Sequence, residues 1–538
     1  MNRWTLRGLI LFCGMGLSLP AEDAPVARPN IVLIMADDLG FSDIGCYGGE
    51  IRTPHLNQMA TNGLRFTQFY NTARCCPTRA ALMTGLYPHQ AGVGLMTQRT
   101  AQPGYQGQLH RQCVTMAEVL RGSGYSTYMA GKWHLVREGD MDGNRTKDAW
   151  PMQRGFQRFY GTIAGGGNYF GPNTLVKDNA LVAAASLPKD YYYTTALGEQ
   201  AAGFIREHHD DPARTKTPFF LYLAFTAPHW PLHAPEVQVA KYRGSYRQGW
   251  DKLREARYKR QIAMKLVDAR WPLSPRHPAA PAWESLPEAR RKEMDERMAI
   301  YAAMVDVMDQ AVGRVLAELE RTGLRGNSLV VFLADNGGCD ETGLFGFERN
   351  PGARLGTAES FASYGACWAN ASNTPFRYFK KDHHEGGIAS PLIVQWPARV
   401  EAGGQLREQP GHVIDLMPTL VEAANATYPA KFQGQDIIPM EGRSLMPAFE
   451  DHPVDRDALY WEHVGNRGVR SGDWKLVSNV RHDKGAWELY NMAADRTEQV
   501  NLIDQRPDKA REMEAMWAAW AKRTRVLPKP ANSPPSTR

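Results

Sequence analysis

The feature that most restricts this chain is a set of continuous apolar runs of strand length, two of which end in a pair of oxygen-bearing side chains. NIVLIM (30–35) runs through Ala36 into Asp37 and Asp38, and SLVVFLA (328–334) runs into Asp335 and Asn336. PFFLYLAF (218–225) and PLIVQWP (391–397) have the same apolar character. Runs of this kind suit strands buried on both faces. Helical patterns alternate with them, the mark of an α/β sheet with helices on its faces. In open sheets of this type a ligand lies beyond the carboxyl ends of the strands, so Asp37, Asp38, Asp335 and Asn336 can converge despite their separation in sequence. Four oxygen donors at one edge suit a hard cation, Ca²⁺ or Mg²⁺, because softer metals take imidazole or thiolate. Either DDLG or DNGG alone reads as a turn; two such pairs, each closing an apolar strand, point toward a metal.

With 538 residues the chain has room for one large and one small domain. Residues 287–323 carry apolar positions at helical spacing and predict a long amphipathic helix packed on the sheet. The preceding stretch, 242–283, is rich in Arg, Lys, Pro and Trp and reads as an ordered surface excursion whose charges form a solvated face. Beyond the helix-like VIDLMPTLVEAA (413–424) the pattern changes to short strands, ALYWEHV, RGVRSGDWKLVSN and WELYNM, and then to a closing helix, DKAREMEAMWAAWAKRT. A small antiparallel sheet with one helix is the natural reading. The expected division is a large domain over 29–450, a small one over 451–525, and a Pro-rich disordered tail over 527–538.

At the start, Arg3 and Arg7 precede an apolar stretch, 9–19, that ends in Pro20 and Ala21 before Glu22 and Asp23. This is the pattern of a secretory signal over residues 1–21, short for a bilayer span, with an uncleaved anchor helix the alternative, and it predicts a periplasmic or secreted protein without stable membrane insertion. Losing Cys13 with it leaves Cys46, Cys75, Cys76, Cys113, Cys339 and Cys367, too few for a disulfide scaffold and without the spacing of a zinc site. The formal charge of +6 is spread along the chain with no basic run, which argues against nucleic acid and favours a small-molecule or glycan substrate.

The most specific string is NTARCCPTRAALMTG (71–85), in which Cys75, Pro77 and Arg79 spell C-x-P-x-R. This motif resembles the hallmark of the type I sulfatases, members of the alkaline-phosphatase superfamily. The resemblance implies that Cys75, not Cys76, is oxidised during export to Cα-formylglycine by a formylglycine-generating or sulfatase-maturing enzyme. The aldehyde hydrates and supplies the nucleophilic oxygen. A sulfate ester carries negative charge and is a poor electrophile, so the site needs an activated oxygen with cations around the sulfonyl oxygens. Arg74 and Cys76 depart from the residues common at their positions; Cys76 reads as a small buried residue.

Further islands resemble the family in the same order. ADDLGFSDIGCYGG and LADNGG imply Asp37, Asp38, Asp335 and Asn336 as ligands of Ca²⁺, or Mg²⁺, beside the modified Cys75. AGKWHL implies Lys132 as the residue orienting the hydrated aldehyde and His134 as base. TAPHWPLHAP implies His229 as donor to the bridging ester oxygen, with His233 a loop histidine nearby. The segment NTPFRYFKKDHHEGGIASPLIVQWP implies a further cation, Lys380 in preference to its neighbour Lys381. The implied fold is an alkaline-phosphatase-like α/β domain with a mixed central sheet plus a small C-terminal antiparallel domain. The implied reaction is hydrolysis of an aryl or glycan sulfate monoester through a sulfated formylglycine hydrate, with Arg79, Lys132 and Lys380 stabilising oxyanions. SYGACWANASNTPFR and the excursion look most like bacterial arylsulfatases. A phosphatase or phosphonate monoester hydrolase of the same superfamily is the nearest alternative, and a non-catalytic glycan-binding relative the second. GTIAGGGNYFGP (161–172) resembles a pocket-lining loop, with Tyr169 and Phe170 as ring contacts, although its glycines could equally serve turns.

Overall fold

Each of the four apolar runs forms a strand of one sheet. A computed structural model describes residue 1, residues 28–400 and residues 403–530; the signal-like segment and the end of the tail lie outside the described residues. The strands are β1 (Asn30–Ala36), β2 (Leu64–Tyr70), β3 (Ser126–Gly131), β4 (Arg158–Thr162), β5 (Leu175–Lys177), β6 (Ala180–Leu181), β7 (Phe219–Ala224), β8 (Ser328–Ala334), β9 (Ala389–Gln395), β10 (Gln405–Arg407) and β11 (Gly411–His412). Their order is β10-β2-β9-β8-β1-β7-β3-β4-β5-β6, with β11 also on β2. The core quartet β8-β1-β7-β3 is parallel, whereas β9 runs antiparallel between β8 and β2. The sheet is therefore mixed, and every residue of β7, β8 and β9 is buried, as the continuous apolar runs require.

Helices cover both faces. The predicted long helix spans Glu288–Arg321 with Pro287 at its N-cap, and it packs against the helices Tyr193–Asp210 and Pro54–Thr61. The excursion departs from expectation. It contains a helix, Gly249–Ala263, whose Arg254, Arg257 and Gln261 are buried, not solvated. Arg257 Nη1 meets Asp43 Oδ1 at 2.7 Å and its Nη2 meets Glu50 Oε1 at 2.8 Å, so these charges pin the loop that follows β1.

After a two-stranded hairpin, β12 (Lys431–Phe432) and β13 (Gln435–Asp436), four antiparallel strands follow in sequence order: β14 (Leu459–His463), β15 (Asn466–Ser471), β16 (Trp474–Ser478) and β17 (Trp487–Asn491). RGVRSGDWKLVSN supplies two of these strands, reversing at Gly472 with φ +55°. The closing helix is Pro507–Arg523. Beyond it, Lys529 pairs with Glu462 at 2.9 Å. Among the described residues no helix is long and apolar enough to cross a membrane, and all six cysteines there are free and buried.

Candidate active site

Strand direction brings the distant sequence islands to one edge. Ala36 and Ala334 are register partners at the ends of β1 and β8, so Asp37 and Asp335 leave the sheet side by side. Lys132 and His134 follow the end of the parallel β3, and His229 follows that of β7. β2 leads at the same edge into the helix Cys75–Thr84, and residues 380–385 enter the antiparallel β9 from that side. Asp38 and His134 have positive φ, 62° and 56°, a region that non-glycine residues seldom adopt and that recurs at functional sites.

The acidic set is interlocked. The Asp38 N–H donates to Asp335 Oδ1 at 3.2 Å, and Asn336 Nδ2 donates to Asp38 Oδ1 at 2.7 Å. Three buried cations close on it: Arg79 Nη2 lies 2.9 Å from Asp335 Oδ2 and 3.4 Å from Asp37 Oδ2, Lys132 Nζ pairs with Asp37, and Lys380 Nζ lies 2.8 Å from Asp38 Oδ1. Against the cost of burial, Lys132, His229 and Arg79 hold the Asp37 carboxyl far below the usual range, while burial and the charge of Asp37 push Asp335 up. Asp37 Oδ1 and Asn336 Oδ1 are buried with no hydrogen-bond partner. Two unsatisfied oxygens beside crowded carboxylates are what a bound hard cation would relieve.

Cys75 is the first residue of its helix and Arg79 lies one turn on, on the same face. Thr78 donates to the Asp335 carbonyl at 2.7 Å and Arg79 to the Lys132 carbonyl at 3.0 Å, which fixes this helix to the ends of β8 and β3. A hydrogen bond from Cys76 drives the Cys75 thiol well below its ordinary value; burial opposes the shift, and Lys132 and His134 add to it. Cys75 and His134 lie within mutual ligand reach, as do Asp37, Asp38 and His229. Burial, reinforced by Lys132 and Arg79, lowers His134 to about 4, so its imidazole is neutral near pH 7. His229 Nε2 is 3.4 Å from Asp38 Oδ2 and its Nδ1 2.5 Å from the Trp230 carbonyl.

Comparison with known proteins identifies the class. The sulfatase family model matches residues 29–426, and the model of the N-sulphoglucosamine sulphohydrolase C-terminal region matches 375–521. The chain belongs to the sulfatase family. It is 32% identical to an uncharacterized sulfatase of Schizosaccharomyces pombe, over 95% of this chain and 96% of that one, and 34% identical to the arylsulfatase of Klebsiella aerogenes, over 79% and 93%. Its fold matches the crystal structure of Ps i-CgsB in complex with k-i-k-neocarrahexaose, with TM-score 0.65 and 24% identity over 94% of this chain and 98% of that one. The alkaline-phosphatase-type α/β architecture with a C-terminal antiparallel sheet is thereby shown, and this sulfatase is a sulfuric ester hydrolase.

Within the sulfatase site the adjacent lysines separate. Lys380 is buried against Asp38, whereas Lys381 turns to Glu341 and is 18% exposed. Glu341, which no sequence pattern singles out, gathers Lys381, Arg74 at 2.8 Å and the Trp230 indole N–H at 3.2 Å. The glycine loop roofs the two histidines. A Cβ on Gly165 would come within 2.5 Å of the His134 ring, and one on Gly166 within 3.0 Å of the His229 ring. Neither glycine has positive φ, so close approach, not a turn, demands them. Tyr169 is buried and donates to the Thr226 and His229 carbonyls, while Phe170 packs on Tyr192 and His233. These rings support the roof, and the Tyr169 hydroxyl is close enough to feel the charges of Asp37 and Asp38. His233 is buried against the Ser360 carbonyl at 2.7 Å.

Proposed function

We propose that this sulfatase hydrolyses sulfate monoesters of aryl alcohols or glycans, in the periplasm or outside the cell, after a maturing enzyme has converted Cys75 to Cα-formylglycine. Once formed and hydrated, that group supplies the attacking oxygen. Asp37, Asp38, Asp335 and Asn336 are the proposed cation ligands, with the modified Cys75 beside them; the all-oxygen donor set and its two unpartnered atoms favour Ca²⁺, with Mg²⁺ the other candidate. A divalent ion held there would neutralise charge on the sulfonyl oxygens.

The chain's own groups divide the remaining work. Arg79 and Lys132 hold positive charge beside the position of Cys75, and Lys380 does so on the Asp38 side, where oxyanion charge develops. His229 presents Nε2 to the site and keeps Nδ1 on the Trp230 carbonyl, a geometry suited to giving a proton to the departing ester oxygen. Neutral His134 is suited to taking the proton from the hydroxyl at Cys75. Gly165 and Gly166 close over both rings and restrict water.

The observation that carries this reading is the juxtaposition of the C-x-P-x-R cysteine with His134 and a buried acidic set that keeps two oxygens free. Mass spectrometry of the peptide containing 71–79 tests the modification, and turnover of nitrophenyl sulfate against nitrophenyl phosphate tests the reaction. An active sample that retains the Cys75 thiol would refute the proposal, as would preferential turnover of the phosphate.

A further inference from the structure

Beyond Trp230, the neighbour of His229, stands an arginine with no counter-ion among the described residues. The Trp230 ring lies 4.7 Å from the His229 ring, and beyond it stand Phe347 at 5.2 Å and Phe361 at 5.8 Å. Arg349 lies over these three rings, with its guanidinium carbon 4.5 Å from the Phe361 centroid, 5.3 Å from Phe347 and 5.6 Å from Trp230. Its main chain is fixed as well: the Arg349 N–H donates to the Phe361 carbonyl at 2.9 Å, beside the antiparallel bridge between Glu348 and Ala362. The same loop is strapped to the glycine roof by Asn168 Nδ2, which donates to the Ala358 carbonyl at 2.8 Å.

Most arginines in this part of the molecule have a carboxylate. Arg297 pairs with Glu348 and Arg354 with Glu236. Arg349 is exposed, and among the described residues no carboxylate lies within ion-pair distance of it. Three aromatic rings hold the guanidinium by cation–π contact, a mode that leaves guanidinium N–H groups free to bind an anion. A preorganised fork of this kind binds carboxylate or sulfate in bidentate fashion. Trp230 is the ring between it and His229, 4.7 Å from the His229 ring and 5.6 Å from the Arg349 guanidinium carbon.

We infer that Arg349, with Trp230, forms a leaving-group subsite that selects sulfate esters whose ring carries a second anionic substituent, a carboxylate or another sulfate. This inference rests on the proposed function and names the substrate class of that site. Arg349 is a specificity residue and takes no part in bond breaking.

The test uses mature full-length protein and matched esters that differ by one charge: 4-sulfooxybenzoate against its methyl ester, and a disulfated against a monosulfated hexosamine. The two pairs distinguish a phenolic from a sugar leaving group. Wild type should prefer the member with the extra charge in at least one pair. Arg349→Ala should raise KM for that member about tenfold, with kcat and the less charged partner unchanged, and Arg349→Lys should restore part of the loss. Equal effects of Arg349→Ala on both members, or no preference by wild type, would overturn the inference while leaving the sulfatase reading intact. If mature wild type cleaved no member of either pair yet hydrolysed nitrophenyl sulfate, the subsite alone would fall; if it hydrolysed no sulfate ester, both would fall.

Discussion

Two groups of buried charges hold the large sheet to its surroundings, and they differ in how their oxygens are satisfied. Where β9 meets the C-terminal sheet, Glu385 Oε1 lies 2.8 Å from Lys475 and Oε2 3.0 Å from Arg496, with the Tyr70 hydroxyl donating to Oε2. Glu498 Oε1 takes Lys475 at 2.8 Å and its Oε2 accepts the Glu385 N–H at 2.9 Å. Every carboxylate oxygen there has a cation or a donor within 3.0 Å, Glu498 Oε1 through its ion pair with Lys475 alone, while Arg496 Nη1 and Nη2 are without a hydrogen-bond partner and the face of Arg496 covers Phe376. At the ends of β1 and β8 the carboxylates are equally buried, yet Asp37 Oδ1 and Asn336 Oδ1 have no partner. The closed cluster serves as a clamp. The open one keeps coordination capacity at the cost of desolvated oxygens, which is the signature of a site.

The largest expected effect separates the two outright. Cys75→Ala should lower turnover of nitrophenyl sulfate by about 10⁴-fold or more and leave the thermal unfolding midpoint unchanged. Glu385→Gln should do the reverse: with Lys475 and Arg496 left partly unpaired, stability should fall by about 3–5 kcal/mol, read as a lower denaturant midpoint, while the molecules that remain folded keep most of their activity.

Removal of the cation touches only the open cluster. A chelator should lower the melting temperature of wild type by an amount equivalent to about 3 kcal/mol if free ion had exceeded its dissociation constant a hundredfold. In Asp37→Asn the same chelator should produce little change. A full chelator response in that variant would place the cation elsewhere.

Acid should disable the two clusters in order. Burial opposes ionisation of Glu385, but Lys475, Arg496 and Arg470 lower it from 4.5 to about 2. A depressed carboxyl stabilises the fold above its unfolded value, so this contribution, about 3 kcal/mol, is present above pH 4.5 and is lost as pH falls toward 2. His134 gains its proton near 4. Activity should therefore fail around pH 4 in molecules that are still folded, as a pH–rate profile beside circular dichroism would reveal; simultaneous loss would contradict the ordering. The smallest effects concern the adjacent lysines. Lys380→Ala should cost about 10²-fold in kcat/KM, whereas Lys381→Ala, which loses a partly exposed pair with Glu341, should change it less than about threefold.

Much of the architecture was legible because it is written in local periodicity. Continuous apolar runs suit strands covered on both faces, the spacing over 287–323 reads as a long helix, and C-x-P-x-R is specific enough to be read without coordinates. The charges around Arg257 were not legible, because a basic, Trp-rich segment reads alike whether water or Asp43 and Glu50 face it. Glu341 had no signal either, since its partners Arg74, Trp230 and Lys381 come from other parts of the chain. The glycines at 165 and 166 were ambiguous for a related reason: a turn and a close approach demand the same residue, and only the rings of His134 and His229 beneath them distinguish the two.

The sequence alone determined the strand-and-helix repertoire, the motif cysteine and the oxygen-rich strand ends, because hydrophobic period and short-range chemistry act over a few residues. Tertiary structure decided which of two adjacent lysines reaches Asp38, which carboxylates are closed off by cations and which keep an oxygen open, and where an arginine packs on rings with no carboxylate near it among the described residues. These outcomes depend on distances between segments far apart in the chain, and such distances are set only when the sheet and its crossovers have packed.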